Sequence, residues 1–167
     1  MRISTRSEYG LRALMELGQA KGAMSLRDIA NRQHISLDYL EQIMPALKVA
    51  DLIKARRGAQ GGYQLTRDAA EITVLDVLAA LEGSLDPMTC LTSAPLGSEP
   101  DAAVLDNCGA SGSCAVQEVW REVKVAIETV LRRLTLAQLI ERQQAQFGGP
   151  IRTHQADHEI LRLAVLG

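Results

Sequence analysis

The chain has 167 residues, of which 47% are hydrophobic and 23% are charged, and this composition excludes low-complexity and collagen-like proteins. No apolar run approaches the roughly 20 residues that a membrane-spanning helix needs, and the first residues lack the apolar stretch of a signal peptide. Three cysteines are too few for a secreted disulfide framework. We therefore expect a cytoplasmic protein with reduced thiols and no membrane partner.

The formal net charge of −2 is unevenly divided along the chain. Residues 1–67 hold eleven Lys and Arg against six Asp and Glu, which gives +5, whereas residues 68–167 hold seven against fourteen, which gives −7. A basic first part on an acidic remainder favours a polyanionic partner for the first part alone. Chance clustering of surface charge is the alternative.

Two helices are predicted at the start of the chain. Apolar residues at helical spacing predict the first over residues 4–20, and Gly22 follows its end. The second begins after Ser25, which has Asp28 three residues later in a pattern close to a capping box. It ends near His34, which we interpret as a turn residue.

A third helix is predicted to begin at Ser36. Pro45 lies inside its apolar pattern and removes one helical hydrogen bond, so we expect the helix to kink or split there. We therefore expect a rigid helical segment over 36–44, which would contact the DNA bases, and a short continuation that begins at the proline. Asp51 follows at the natural stop, where a left-handed residue is common.

The hydrophobic period then changes to that of strands. Residues 52–56 and 63–66 predict two strands, joined by a glycine-rich turn at 57–62. A hairpin that follows two helices joined by a tight turn predicts a winged helix-turn-helix. Thr73, with Asp76 three residues later, predicts a further capped helix.

The predicted third helix and hairpin carry residue types that contact DNA. Glutamine can read adenine edges, hydroxyl groups can bond phosphate oxygens, and Lys or Arg suits phosphate or minor-groove contact. The candidate DNA-binding residues are Ser36, Asp38, Tyr39, Gln42, Lys54, Arg56 and Arg57. A solvated helix face beside a charged hairpin is the alternative interpretation.

All three cysteines, Cys90, Cys108 and Cys114, lie in or at the end of one irregular segment, 84–114. The segment is longer than most loops of compact domains. Soft thiolates on a flexible backbone are what an iron–sulfur cluster or a zinc ion requires. A thiol–disulfide sensor and unreactive loop thiols are the other possibilities.

A regular period returns after the last cysteine. Large apolar residues recur at gaps of four and three: Val116, Trp120, Val123, Ile127, Val130 and Leu134. This is the spacing of a coiled-coil seam, and it predicts a helix that dimerises; packing on its own winged domain is the alternative. Thr135 with Gln138 predicts the cap of a second helix, and we expect one more short helix around 160–165.

The predicted fold is mainly α with a small β-hairpin wing, a winged helix-turn-helix plus a long dimerisation helix. We assign a DNA-binding domain to residues 1–83 and a cysteine-bearing loop to 84–114. Dimerisation helices follow over 115–146, and the remainder, 147–167, is a C-terminal tail.

Two sequence stretches carry a resemblance to the Rrf2 family of bacterial transcription regulators, which includes the iron–sulfur sensors IscR and NsrR. They are Ile35-Ser-Leu-Asp-Tyr-Leu-Glu-Gln42 and Arg57-Gly-Ala-Gln-Gly-Gly-Tyr63. Supporting matches lie at residues 1–5, 9–14 and 120–122, and the resemblance covers residues 1 to about 146. It implies a homodimeric repressor or activator that binds a palindromic operator in double-stranded DNA.

The resemblance also implies that DNA affinity depends on an iron–sulfur cluster held by Cys90, Cys108 and Cys114. Some relatives take a further acidic ligand from the partner subunit near the start of the first helix, and Glu8 occupies that place here. Because the family holds both two-iron and four-iron members, the cluster is 2Fe-2S or 4Fe-4S. We expect it to act as a redox, nitric-oxide or iron–sulfur status sensor.

The chain departs from the iron–sulfur pattern in two places. The cysteines of the IscR type lie about six residues apart, whereas seventeen residues separate Cys90 from Cys108 here, so we expect residues 91–107 to loop out. The IscR type also has a histidine three residues beyond the last cysteine, and Gln117 stands in that position.

Three other functions can be compared with the sequence: an enzyme, a regulator without a cluster, and a cluster carrier. We find no nucleophile with a base, no phosphate-binding loop and no paired carboxylates, so we expect no enzyme activity. A regulator without a cluster that senses oxidants through its thiols is one alternative. A cluster carrier that does not bind DNA is the other, and its affinity for DNA would not fall steeply with salt.

Overall fold

The computed structural model of the protein describes residues 3–58, 61–87, 91 and 114–147. These ranges hold six helices and one two-stranded antiparallel sheet, so the predicted mainly α fold with a hairpin wing is confirmed. The elements are α1 (Thr5–Gln19), α2 (Leu26–Gln33), α3 (Leu37–Val49), β1 (Ile53–Arg56), β2 (Gly62–Leu65), α4 (Val74–Glu82), α5 (Ala115–Arg133) and α6 (Leu136–Phe147).

Several sequence predictions concern residues outside these ranges. Cys90 and Cys108 are among them, and so is the short helix expected around 160–165. Within the described ranges, no helix is both long enough and apolar enough to cross a membrane.

Side-chain caps fix where the helices begin. The hydroxyl groups of Ser4, Ser25 and Ser36 each accept a backbone N–H three residues later, at the starts of α1, α2 and α3. Thr73 and Asp76 form a complete capping box at the start of α4, as the sequence predicts. These bonds satisfy donors that have no partner inside the helix.

Helix α3 runs without interruption through Pro45. The prediction of two separate segments is therefore wrong, because the proline removes only one helical hydrogen bond while burial of Met44 and Leu47 holds both sides in the core. Asp51 has a φ of 53°, which confirms the predicted left-handed stop after this helix.

The wing pairs Ile53 with Leu65 and Arg56 with Gly62, within one residue of the predicted strands. A third segment, which the sequence did not indicate, joins this sheet. The N–H of Met24 donates to the Tyr63 carbonyl at 2.9 Å, and the Tyr63 N–H donates back at 2.8 Å. Gly62 permits this approach, because a Cβ there would lie 2.2 Å from the Met24 carbonyl oxygen.

Helix α6 belongs to the core of the winged domain. Leu136 and Ile140 are buried with residues of α1, and the Leu136 N–H donates to the Ile72 carbonyl at 2.8 Å. A Cβ on Gly18 would lie 2.7 Å from Ile140, which shows how closely α1 and α6 approach. Part of the segment predicted to dimerise therefore completes the core of its own subunit.

Helix α5 packs on α4 through only one side. Leu131 and Leu134 lie against a small buried cluster formed by Val74, Leu75, Leu78 and Leu85. The remaining seam leaves much apolar surface uncovered, with Trp120 exposed to 38% and Val130 to 57%. Three of the six residues of the predicted seam, Val116, Trp120 and Val130, are therefore exposed rather than packed on the winged domain.

Candidate functional site

One face of α3 is free of core contacts. Asp38, Glu41, Gln42 and Lys48 are exposed on it, while Leu40 on the other face is completely buried. An exposed amide on a helix held rigidly from behind can present both a donor and an acceptor to a base edge. The predicted reading position of Gln42 is compatible with this geometry.

Tyr39 and Ser36 have structural contacts as well as a place near this face. The Tyr39 ring is half-buried and packs edge-on against Tyr9 of α1, with ring centroids 5.6 Å apart. The Ser36 hydroxyl accepts the Tyr39 N–H at 3.2 Å. Any contact that these two residues make with DNA must coexist with these roles.

The wing presents its cations to solvent. Lys54 and Arg56 alternate along β1 and so share a face opposite to buried Ile53. Arg57 follows at the start of the turn and is also exposed. These three charges are within the basic part of the chain and suit contact with a phosphate backbone.

Arg12 connects α1 to its neighbours, a role that sequence reasoning missed. Its Nε donates to Gln33 Oε1 at 2.9 Å, and its guanidinium lies 5.3 Å from the Tyr9 ring centroid. Its Nη1 pairs with Glu8 Oε1 at 3.4 Å. No local pattern signals these contacts, because Gln33 is twenty-one residues away in the sequence.

Glu8 lies on the outer side of α1, and its side chain is 62% exposed. Its exposure leaves the carboxylate accessible from solvent, although the contact with Arg12 partly engages it. A surface pair of this kind contributes little stability, so its exchange for another partner costs little.

The start of α1, where Glu8 lies, is anchored to the end of α4. Glu82 Oε1 accepts the Ser4 N–H at 2.9 Å and the hydroxyl protons of Ser4 and Ser7 at 2.5 Å each. Burial alone would raise the pKa of Glu82, but these hydrogen bonds and the charge of Arg6 outweigh it and hold the pKa below its ordinary value of 4.5.

We expect Glu82→Gln to destabilise the protein by about 1–2 kcal/mol at neutral pH, since a partly exposed, charge-assisted network is weakened. A lowered pKa means that folding favours the carboxylate. The stabilisation is therefore complete above pH 4.5 and is lost as the pH falls through the folded-state pKa.

Thermal unfolding at pH 7 and at acidic pH measures this pH dependence, with exposed Glu71→Gln as the control. A gap between wild type and Glu82→Gln that stays constant with pH would contradict the assignment.

Cys114 is the described member of the cysteine set. Its thiol is free and half-buried, and the residue is the N-cap of α5, where its side chain makes no capping hydrogen bond. The positive end of the helix dipole favours an anionic ligand there. Gln117, one turn later, is buried.

Among the described residues, no three His, Cys, Asp or Glu side chains come together as a metal site. Cys90 and Cys108 lie outside the described residues, so the predicted ligand set is represented there by Cys114 and Glu8 alone. The Cys114 thiol is a soft donor of the kind that an iron–sulfur cluster takes, and the Glu8 carboxylate is exposed.

Comparison with known proteins gives consistent matches. Residues 3–142 match the Rrf2 family, described as an iron-dependent transcriptional regulator. The chain is 34% identical over 145 residues to the HTH-type transcriptional regulator IscR of Serratia proteamaculans, which is 86% of this chain and 81% of that protein.

Two solved structures have a similar fold. T. potens IscR superposes with a TM-score of 0.66 at 34% identity, covering 93% of this chain and 96% of its own. CymR, the global cysteine regulator of B. subtilis, gives a TM-score of 0.65 at 33% identity and covers 85% and 98%. IscR is named as a transcriptional regulator and CymR as a regulator.

Proposed function

This chain belongs to the Rrf2 family of winged-helix transcription regulators, and on that premise we propose that it is a homodimer whose affinity for a palindromic operator is controlled by an iron–sulfur cluster. DNA binding is common to regulators of this family. The observation that carries the proposal is the position of Cys114, a free thiol at the start of the helix that bears the exposed apolar seam. A group bound there would touch the helix that would set the distance between the two DNA-binding domains of the dimer.

In this proposal, α3 and the wing make different contacts with DNA. Gln42 reads a base edge in the major groove, while Lys54, Arg56 and Arg57 contact phosphates or the minor groove. Glu41, exposed beside Gln42, repels phosphate and accepts from a cytosine amine, so it discriminates between sequences rather than adding affinity.

The seam of α5 pairs two subunits. Trp120 and Val130 would be covered by the same face of the partner, which removes apolar surface from water. The two DNA-binding domains of such a two-fold dimer would then bind half-sites about 34–36 Å apart, which is one turn of DNA.

Cys90, Cys108 and Cys114 would hold the cluster, with Glu8 of the partner subunit as the fourth ligand. When bound, the cluster would crosslink these thiolates, and its loss or oxidation would release them. The cysteines of one segment and the first helix of the other subunit would then be constrained together.

A chain of contacts leads from Glu8 to the reading helix. Arg12 pairs with Glu8 and lies over the ring of Tyr9, and Tyr9 packs against Tyr39 of α3. A change of partner at Glu8 would release only its weak surface pair with Arg12, because Arg12 keeps its hydrogen bond to Gln33.

Thiol sensing without a cluster is a second candidate. It is favoured by the similarity to CymR, which is described as a global cysteine regulator. Here the free Cys114 thiol would itself react, and DNA binding would persist after treatment with an iron chelator. Counting iron and acid-labile sulfide in anaerobically purified protein separates the two candidates.

The DNA-binding part is tested by Arg57→Ala. Removal of one phosphate-binding cation lowers the slope of log affinity against log salt by about one, so we expect a shallower slope and weaker binding to all sequences. Arg133→Ala, which removes an exposed charge at the end of α5, is the matched control and should leave the slope unchanged. Equal slopes for wild type and Arg57→Ala would remove Arg57 from the residues that bind DNA.

A further inference from the structure

The end of α2 is attached to α1 through one residue, Gln33, which is only 1% exposed. Its Oε1 accepts the Nε–H of Arg12 at 2.9 Å, and its Nε2 donates to Glu16 Oε1 at 2.6 Å. Arg12 and Glu16 are four residues apart on α1, so they lie on the same face of that helix. Both polar ends of the buried amide are thus held by α1.

Arg12 also caps the C-terminal end of α2. Its Nη2 donates to the main-chain carbonyl of Gln33. That carbonyl belongs to the last turn of α2, where carbonyl groups have no partner inside the helix. A cation at this position also faces the negative end of the helix dipole. The Arg12 side chain is 13% exposed, so the contact is largely shielded from water.

Only three residues join this fixed end of α2 to the first helical residue of α3. His34 is left-handed, with a φ of 51°, and its N–H donates to the Ala30 carbonyl. The N–H of Ile35 donates to the same carbonyl at 3.0 Å, and its side chain is buried. Ser36 then caps α3. Because each residue of this short turn has a fixed role, a displacement of Gln33 moves the start of α3.

Arg12 contacts the other side of the turn through Tyr9. Its guanidinium lies 5.3 Å from the Tyr9 ring centroid, and that ring packs edge-on against Tyr39 in the first turn of α3. Helix α1 therefore holds residues both before and after the turn. A hydrogen bond from Gln42 to a base edge requires good distance and alignment, so a small rotation of α3 is enough to lose it.

We propose that Arg12 and Gln33 are positioning residues for sequence-specific DNA binding: together they fix the end of α2 on α1, and with it the direction in which α3 presents its exposed face. The inference rests on the proposed role of α3 in contacting bases. Neither residue binds DNA itself. Gln33 is buried, and the donors of Arg12 are engaged by Gln33 and Glu8.

The test compares the full-length wild type with Gln33→Met, Arg12→Lys and Thr73→Ala, all purified anaerobically in the same way. Gln33→Met keeps the length of the side chain and removes both amide hydrogen bonds. Arg12→Lys keeps the charge but replaces the planar fork with a single ammonium, which cannot reproduce the pair of bonds to Gln33. Thr73→Ala removes the cap of α4, far from the turn, and so controls for a loss of stability alone.

Two DNA probes are used: a duplex that the wild type selects from random-sequence DNA, and a shuffled duplex of the same length and composition. The readouts are the ratio of the two affinities at constant salt, the slope of log affinity against log salt, and the unfolding temperature. Binding is measured well below the unfolding temperature of every variant, so that only folded protein is compared.

We expect Gln33→Met and Arg12→Lys each to lower the ratio of affinities for selected and shuffled DNA at least about fivefold, the low end of the usual cost of one mismatched base pair. The salt slope should keep its wild-type value in both, because no phosphate contact is removed. Thr73→Ala should unfold at a lower temperature with the ratio unchanged. If Gln33→Met does not fold, Arg12→Lys carries the test.

A wild-type ratio in Gln33→Met or in Arg12→Lys would overturn the positioning role while leaving the proposed function intact. An equal fall in Thr73→Ala would also overturn it, because loss of stability would then suffice. A shallower salt slope in Gln33→Met would do the same, since it would mean that phosphate contacts were lost. A wild type that prefers no sequence would overturn the proposed function, and the positioning role with it.

Discussion

Val130→Asp is expected to turn the dimer into a monomer and to weaken binding to a palindromic DNA by a factor of about 10²–10⁴. Val130 lies in the exposed seam, one position before its last residue, with 57% of its surface accessible within one subunit. An aspartate there would carry its charge into an apolar interface where nothing compensates it. Separate monomers bind the two half-sites independently, so the increase in affinity that comes from linking the two DNA-binding domains is lost.

Helix α5 offers a closely matched control. Val125 is 56% exposed, but it lies about 160° around the helix axis from Val123 of the seam. Val125→Asp makes the same substitution at the same exposure, on a face that the proposed dimer leaves open. Sedimentation gives the mass of both variants, and emission of the single tryptophan, Trp120, reports burial of the seam.

A Val130→Asp variant that remains a dimer would contradict the assignment of this face. The same conclusion would follow if Val125→Asp dissociated equally well, because dimerisation would then not depend on the seam. Measurements at one salt concentration are needed for all three proteins, since DNA affinity varies steeply with salt.

Cys108→Ser is expected to abolish the colour and the bound iron, while the helical fold and the dimer remain. Serine is a poor substitute for the soft thiolate that an iron–sulfur cluster requires. We expect the operator affinity of this variant to differ from that of the cluster-bearing wild type by about 5- to 150-fold, the usual range of coupling between two sites.

Wild-type protein stripped by a chelator is the reference for this variant. Both proteins lack the cluster, so both should bind the operator equally well. If Cys108→Ser bound differently from stripped wild type, the cysteine itself and not the cluster would control affinity. That outcome would favour direct thiol sensing.

Features set by neighbouring residues were predictable from the sequence. The caps at Ser25, Ser36 and Thr73, the hairpin and the left-handed Asp51 all follow from hydrogen bonds or backbone preferences within a few residues. Pro45 is the exception. It does remove a helical hydrogen bond, but burial of the helix on both sides of it decided the result.

Features set by distant residues were not predictable. Pairing of Met24 with Tyr63 joins positions almost forty residues apart, and no local pattern marks Met24 as a strand. Likewise, the contact between Lys124 and Asp86 joins two charges that look like ordinary surface residues in the sequence. Only packing of α5 on α4 makes them face one another.

The seam shows what the hydrophobic periodicity of the sequence can predict and what it cannot. Gaps of three and four residues predicted a helix with one apolar stripe, and α5 has it. The pattern could not say which side of α5 faces its own subunit. That side includes Lys124 and Glu128, whose charges would normally indicate solvent, and it leaves Val130 uncovered.

The most direct test of control by a cluster measures operator affinity on one anaerobic preparation, with iron and sulfide counted, before and after removal of the metal by a chelator at constant salt. We predict an affinity that changes at least about fivefold while the dimer mass stays the same. The same affinity in both states, or a preparation that contains neither iron nor sulfide, would contradict such control.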